Sequence, residues 1–224
     1  MCHKRWSTGN DRGLCLLAGR STRGIRLTSR ASTESWSTMD GVTAPGSVIL
    51  LNGASSSGKS TLARQLQDVL DQPFLHLSSD QLVDGGALPR RRDVTGPFAW
   101  SEHLRPIFFD GFHRCIPALA SAGNNLVVDH IIEYRSWRLQ LADLLAGFDV
   151  FLVGVHCDAD ELARRERRRG DRKVGEGRAH LEENHIHQLG PYDLDVDTTA
   201  GVNHTLLVSV IDTWVSRSRH RGLP

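Results

Sequence analysis

Short apolar runs alternate along this chain with stretches whose apolar residues recur every three or four positions. Ser47–Leu51 is the first run and ends in Asn52-Gly53, as a buried strand does on entering a turn. Lys59–Leu70 then places Leu62, Leu66, Val69 and Leu70 on one helical face. Pro73–Leu77 predicts a second strand, closed by Ser78-Ser79-Asp80. Asn125–Val128 predicts a third, ending at Asp129, and Val150–Val155 a fourth, apolar except for Gly154. Asp193–Val196 is a weak fifth. Helices are predicted over Tyr134–Leu145, Asp158–Arg169, 179–189 and Val202–Val215. Ala99–Ala122 also reads as helical, with Pro106 and Pro117 expected to break or kink it. Gly85–Pro97 and 170–178 read as loops.

Apolar strands lying between helices imply a parallel sheet covered on both faces. The order predicts one α/β domain over residues 46–217, built on a five-stranded parallel sheet, with no internal repeat. Ligands of such sheets sit at the carboxyl ends of the strands.

Composition narrows the class. An apolar share of 39%, with 21 glycines besides, is that of a globular protein rather than a disordered one. No apolar stretch reaches membrane-spanning length, so no membrane partner is expected. Cys2, Cys15, Cys115 and Cys157 are scattered without a CxxC pair, which fits neither a disulfide framework nor a zinc knuckle and suits the cytoplasm. The net charge of +1 divides into +5 over residues 1–38 and −4 over the rest. A mildly acidic body argues against a nucleic-acid partner. Residues 1–45, rich in Ser, Thr, Gly and Arg, read as a disordered tail. A transit peptide shares that composition, and Met39 offers an alternative start.

The strongest chemical signal is Gly53-Ala54-Ser55-Ser56-Ser57-Gly58-Lys59-Ser60, with Thr61 next. It satisfies GxxxxGK[ST], follows a predicted strand and opens a predicted helix, the context that a phosphate loop requires. Its glycines permit turns that side chains would block. The loop amides and helix N-terminus can converge on an anion. Lys59 would neutralise the β- and γ-phosphates of ATP and Ser60 would ligand Mg²⁺. This places the chain among P-loop NTPases without naming the reaction.

Asp129 closes an apolar strand, the Walker-B arrangement, and is the second metal candidate beside Ser60. Asp80 stands just beyond the second strand, either as the cap of a short helix or as the base that takes a hydroxyl proton. Residues 164–172 carry six arginines, which read as a solvated face, as an RNA-binding segment, or as the lid of a small kinase. In the last reading Arg165, Arg169 and Arg172 would stabilise the transferring charge. Arg90-Arg91-Arg92 reads as an exposed loop or as a site for an anionic acceptor. His180, His185 and His187 do not make a metal site, since His185 and His187 face different ways on a helix.

These residues resemble the chloramphenicol phosphotransferase family of P-loop small-molecule kinases from about Ser47 to Val215. The likeness runs from Ile49-Leu50-Leu51-Asn52-Gly53 through Ser79-Asp80-Gln81-Leu82 and Leu126-Val127-Val128-Asp129. It continues in Val153-Gly154-Val155-His156-Cys157-Asp158 and Arg169-Gly170-Asp171-Arg172. It closes with His187 and Tyr192-Asp193-Leu194-Asp195-Val196-Asp197-Thr198-Thr199. The resemblance implies a nucleoside-monophosphate-kinase-like fold with helices on both faces and a lid. It implies ATP-dependent phosphorylation of a small-molecule hydroxyl, Asp80 as general base, and lid arginines on ATP. Within the kinases the acceptor stays open among a nucleotide, a sugar nucleotide and a metabolite, since zeta-type toxins share the phosphate loop and base position; outside them the alternatives are a nucleotide-binding regulator and an RNA-associated ATPase using residues 164–172. Two features depart from the family. His130 stands where a second acid often follows Asp129, and Val83–Ala99, with its arginines, favours a polar or anionic acceptor over chloramphenicol.

Overall fold

The computed structural model describes residues 44–92, 94–170, 174–217 and 222–224. The tail expected over residues 1–45 lies almost wholly outside them.

Five strands form one parallel sheet: β1 Val48–Asn52, β2 Phe74–Ser78, β3 Asn125–His130, β4 Val150–His156 and β5 Leu194–Asp197, in the order β2-β3-β1-β4-β5. The side-chain period of two sends alternate residues to opposite faces. Ile49, Leu51, Val127, Phe151 and Val153 pack on one face against Leu62 and Leu66 of α1 (Lys59–Val69) and Val210 of α7 (His204–Ser216). Val48, Leu50, Leu126, Val128 and Leu152 pack on the other, against Ile116 of α3 (Arg105–Ser121) and Leu141 of α4 (Arg135–Leu145). β1 is buried along its whole length, so its carboxyl end is the most rigidly held point from which a loop can leave. Parallel register sets Leu51 beside Asp129 and Asp129 beside Ser78, which gathers the ends of β1, β2 and β3 at one edge.

Three elements depart from the sequence reading. Pro106 lies in the first turn of α3, where the missing N–H costs nothing, and Pro117 stays inside the helix, which runs on to Ser121. The disturbance falls earlier instead. Trp100–Leu104 form a π-helical turn in which Leu104 N–H reaches Ala99 O, five residues back. The helix expected over 179–189 is α6, Glu176–Glu182, followed by a separate 3-10 turn at Ile186–Gln188. His185 between them has φ +48°, a left-handed conformation that ends helical continuation. The fifth strand is one residue later than Asp193–Val196.

Candidate active site

The phosphate loop joins β1 to α1. Gly53 fits because a Cβ there would stand 2.4 Å from Val155 O. Gly58 caps α1 with φ +98°, which glycine adopts without strain. Lys59 Nζ donates to Ala54 O at 2.8 Å and lies 3.8 Å from Asp129 Oδ1. Ser60 Oγ donates to Asp129 Oδ2 at 2.5 Å. Burial pushes the Asp129 carboxyl up, but the Lys59 charge, the His76 ring 3.7 Å away and the hydrogen bond from Ser60 outweigh it and hold the group below its usual range. An ionised carboxylate and a hydroxyl, both hard oxygen donors beside a phosphate cradle, fit Mg²⁺, which keeps phosphate oxygens and waters in its remaining positions.

A cavity of about 900 Å³ opens over this loop at the carboxyl edge of the sheet. Of the residues singled out in the sequence, Ser55, Ser56, Gly58, Lys59, Ser60, Thr61, Asp80, Asp129, Arg165 and Arg169 line it. Gly53, Ala54 and Ser57 are buried positions of the loop that do not line the cavity. Arg172 lies outside the described residues. Among the described residues no group of three or more His, Cys, Asp and Glu is placed to hold a metal ion.

Asp80 is the second residue of the short helix α2, Ser79–Asp84. Ser78 caps that helix: its Oγ accepts from Asp80 N at 3.1 Å, and Gln81 Oε1 accepts from Ser78 N at 3.0 Å, a reciprocal capping box. The capping task is therefore done without the Asp80 carboxylate, which lies on the exposed side of α2 at the cavity.

Arg164–Arg169 of the arginine run form the end of α5, Ala159–Arg169, and differ in surroundings. Arg165 Nε pairs with Glu161 at 2.7 Å, Nη1 donates to Ser56 O at 3.2 Å, and Nη2 donates to Thr198 O and Thr199 O at 2.5 and 3.2 Å. It ties α5 to the phosphate loop and to the segment after β5. Hydrogen bonds from Arg164 and Arg165 hold the Glu161 carboxyl down at about 2. Glu166, within the same run, is fully buried, and its two oxygens accept from Gly175 N and Gly177 N at 2.7 Å each. That carboxylate satisfies free amides at the N-terminus of α6 and fastens the start of α6 to α5.

α6 rests on the phosphate loop. His180 Nδ1 accepts from Ser55 N at 3.2 Å, and Ser55 Oγ donates to Glu176 at 3.4 Å. Burial lowers the pKa of His180, which suits a neutral ring with an accepting nitrogen. Its Nε2 is 4.0 Å from Glu133 Oε1, and the same oxygen accepts from Arg105 Nη2 at 2.5 Å. Arg105, Glu133 and Glu166 did not stand out as site residues in the sequence, and His180 was weighed there only as a metal ligand. Each is a common surface type, with no local pattern to mark it as buried or shared.

His130 is buried 2.9 Å from His113 Nε2. Gln140 Oε1, at 2.8 Å, must accept from His113 Nδ1–H, so His113 Nε2 accepts from His130 Nε2–H. Burial lowers the pKa of both rings, His130 most. The departure from a second acid after Asp129 therefore places a neutral, tautomer-fixed imidazole on the cavity wall.

The chain is similar to a Mycobacterium tuberculosis (H37Rv) protein named "Putative O-phosphotransferase Rv2636", 33% identical over 180 residues, with 72% of this chain and 79% of that one covered. Its fold is that of M. tuberculosis APS kinase in complex with AMPPNP and APS (TM-score 0.53, 21% identity, 77% of this chain and 99% of that one). It is also that of shikimate kinase from Acinetobacter baumannii in complex with shikimate (TM-score 0.53, 16% identity, 77% and 95% covered). The fold is thus one that this chain shares with both kinases. The sequence model described as "chloramphenicol phosphotransferase-like protein" matches residues 46–215, most of the chain, and the protein belongs to that family.

Proposed function

We propose that this protein is an ATP-dependent O-phosphotransferase acting on a small-molecule hydroxyl, with Asp80 as general base. One observation carries the reading. Asp80 shares a single cavity with Lys59, Ser60 and Asp129, while Ser78 rather than Asp80 caps α2. The loop amides and Lys59 would hold the phosphates of ATP. Ser60 and Asp129 would hold Mg²⁺, which neutralises charge on the β- and γ-phosphates when bound. Asp80 takes the acceptor's proton as its oxygen bonds to the γ-phosphorus. The bond from that phosphorus to the β–γ bridging oxygen breaks, and ADP leaves.

Arg165 acts mainly by fixing the loop, since backbone carbonyls and Glu161 take four of its hydrogen bonds. Arg169 and Arg172 are the arginines proposed for the transferring charge. α6 over Ser55 keeps water from the γ-phosphate. Cys115 and Cys157 are free thiols, which fits a reducing cytoplasm.

The test is ADP release with Mg²⁺ across hydroxyl metabolites and antibiotics, chloramphenicol included. Acceptor-stimulated release is expected. Tight ATP binding with no stimulation by any acceptor would contradict the reading and favour a nucleotide-binding regulator.

A further inference from the structure

The cavity divides about the central strand. On the β4 and β5 side its wall is the Thr199–Val202 segment and the arginines of α5. On the β2 and β3 side it is Asp80, Arg92, Trp100, Arg105, Phe109 and Glu133. Asp80 belongs to the second half, so that half is the acceptor's, an assignment that rests on the proposed kinase activity.

The acceptor wall alternates guanidinium groups with aromatic rings. Arg92 Cζ lies 5.7 Å from the Trp100 ring, and Trp100 lies 6.4 Å from Phe109. Arg105 Cζ lies 5.0 Å from Phe109 and 5.4 Å from Trp137. Arg105 is set by this stacking on its face and by Glu133 at one edge, which takes Nη2 alone. Its remaining N–H groups have no hydrogen-bond partner among the described residues, and Arg92 has no carboxylate partner among them. Two guanidinium groups are therefore held with donors to spare, a few ångströms either side of apolar rings. A neutral acceptor entering here would desolvate them and give nothing back. An oxyanion would meet planar donors in a fork geometry that matches carboxylate and phosphate oxygens.

We propose that the acceptor is an anion: a hydroxyl compound carrying a carboxylate or phosphate on an aromatic or apolar ring. Arg92 and Arg105 bind the oxyanion and Trp100 and Phe109 the ring. The hydroxyl is thereby turned toward Asp80.

The experiment is calorimetric titration of the full chain, loaded with Mg²⁺ and a non-hydrolysable ATP analogue. The four probes share one ring: para-hydroxymethylbenzoate, its methyl ester, para-hydroxymethylphenyl phosphate and benzyl alcohol. At least one anion is expected to bind about tenfold or more tighter than the ester and the alcohol, the worth of one charge-assisted pair. The tighter of the two anions names the oxyanion. Arg105→Met and Arg92→Gln should each remove that preference while leaving the ester's affinity unchanged. Arg92 is exposed, so its variant keeps the test sound if Arg105→Met fails to fold. Equal binding of anion and ester, tighter binding of a neutral probe, or no binding of either anion overturns the inference. ADP release with ATP and the same probes separates the anionic acceptor from the kinase activity itself. Turnover of neutral probes alone sinks the anionic acceptor and leaves the kinase standing. Anion binding with no turnover of any probe sinks the kinase and leaves the anionic pocket.

Discussion

Ser60 Oγ donates to Asp129 Oδ2 across 2.5 Å, joining the start of α1 to the end of β3. The contact holds the two metal candidates in one place and, with the Lys59 charge, keeps Asp129 ionised. Asp129→Asn retains the shape and removes the charge. The Mg²⁺ concentration needed for half-maximal ATP turnover is expected to rise by about tenfold or more, as for loss of one charged partner. An unchanged Mg²⁺ dependence would remove Asp129 from the metal site.

Glu166 fastens the start of α6 from inside an arginine run. Glu166→Ala leaves the Gly175 and Gly177 amides without their acceptors, at a cost of about 2–3 kcal/mol for bonds to a charged group. Urea denaturation should show that loss, and protease cleavage between Glu166 and Glu176 should quicken. Glu166→Gln, which keeps an accepting oxygen, should lie between wild type and Ala.

His180 makes the docking of α6 depend on pH. Its pKa is lowered from the ordinary 6.5, so the unfolded or undocked chain binds the proton more readily than the docked one. The stability contributed by docking is therefore full above about 6.5 and falls as pH drops below it toward the lowered value. Protection of the Ser55 amide, corrected for intrinsic exchange, is expected to decline over that window in wild type. In His180→Asn, where the side-chain oxygen accepts without titrating, protection should stay flat.

The core is unequal to substitution in a way burial fixes. Leu50→Ala, at a fully buried position of β1, should cost about 2–5 kcal/mol in urea denaturation. Leu139→Ala, at a position 56% exposed on α4, should stay within about 0.5 kcal/mol of wild type. Comparable losses at both would mean that β1 is not the sheet's buried centre.

Much of this architecture was legible in the chain because the information is local. Ser47–Leu51, the glycines and Lys59 follow one another directly, so a strand, a phosphate loop and a helix could be read in sequence. Asp129 was legible for the same reason, as the polar end of an apolar run. The features that escaped depend on pairings that arise only once the chain folds. Glu166 reads as one more surface charge until Gly175 and Gly177 fold back onto it. Arg105 gains meaning only with Glu133 and Trp137 beside it. In the sequence Asp80 reads either as a cap or as a base, and only the capping geometry shows that Ser78 is the cap. The 179–189 helix was misplaced because a positive φ at His185 leaves no trace in composition.

The proton-accepting role proposed for Asp80 is the centre of the proposed mechanism, and single-turnover transfer from ATP to a competent acceptor in wild type and Asp80→Asn tests it. ATP affinity is expected to be unchanged and the transfer step to slow by about 10²–10⁴-fold, the usual worth of a positioned general base. Transfer at the wild-type rate in Asp80→Asn would contradict the mechanism.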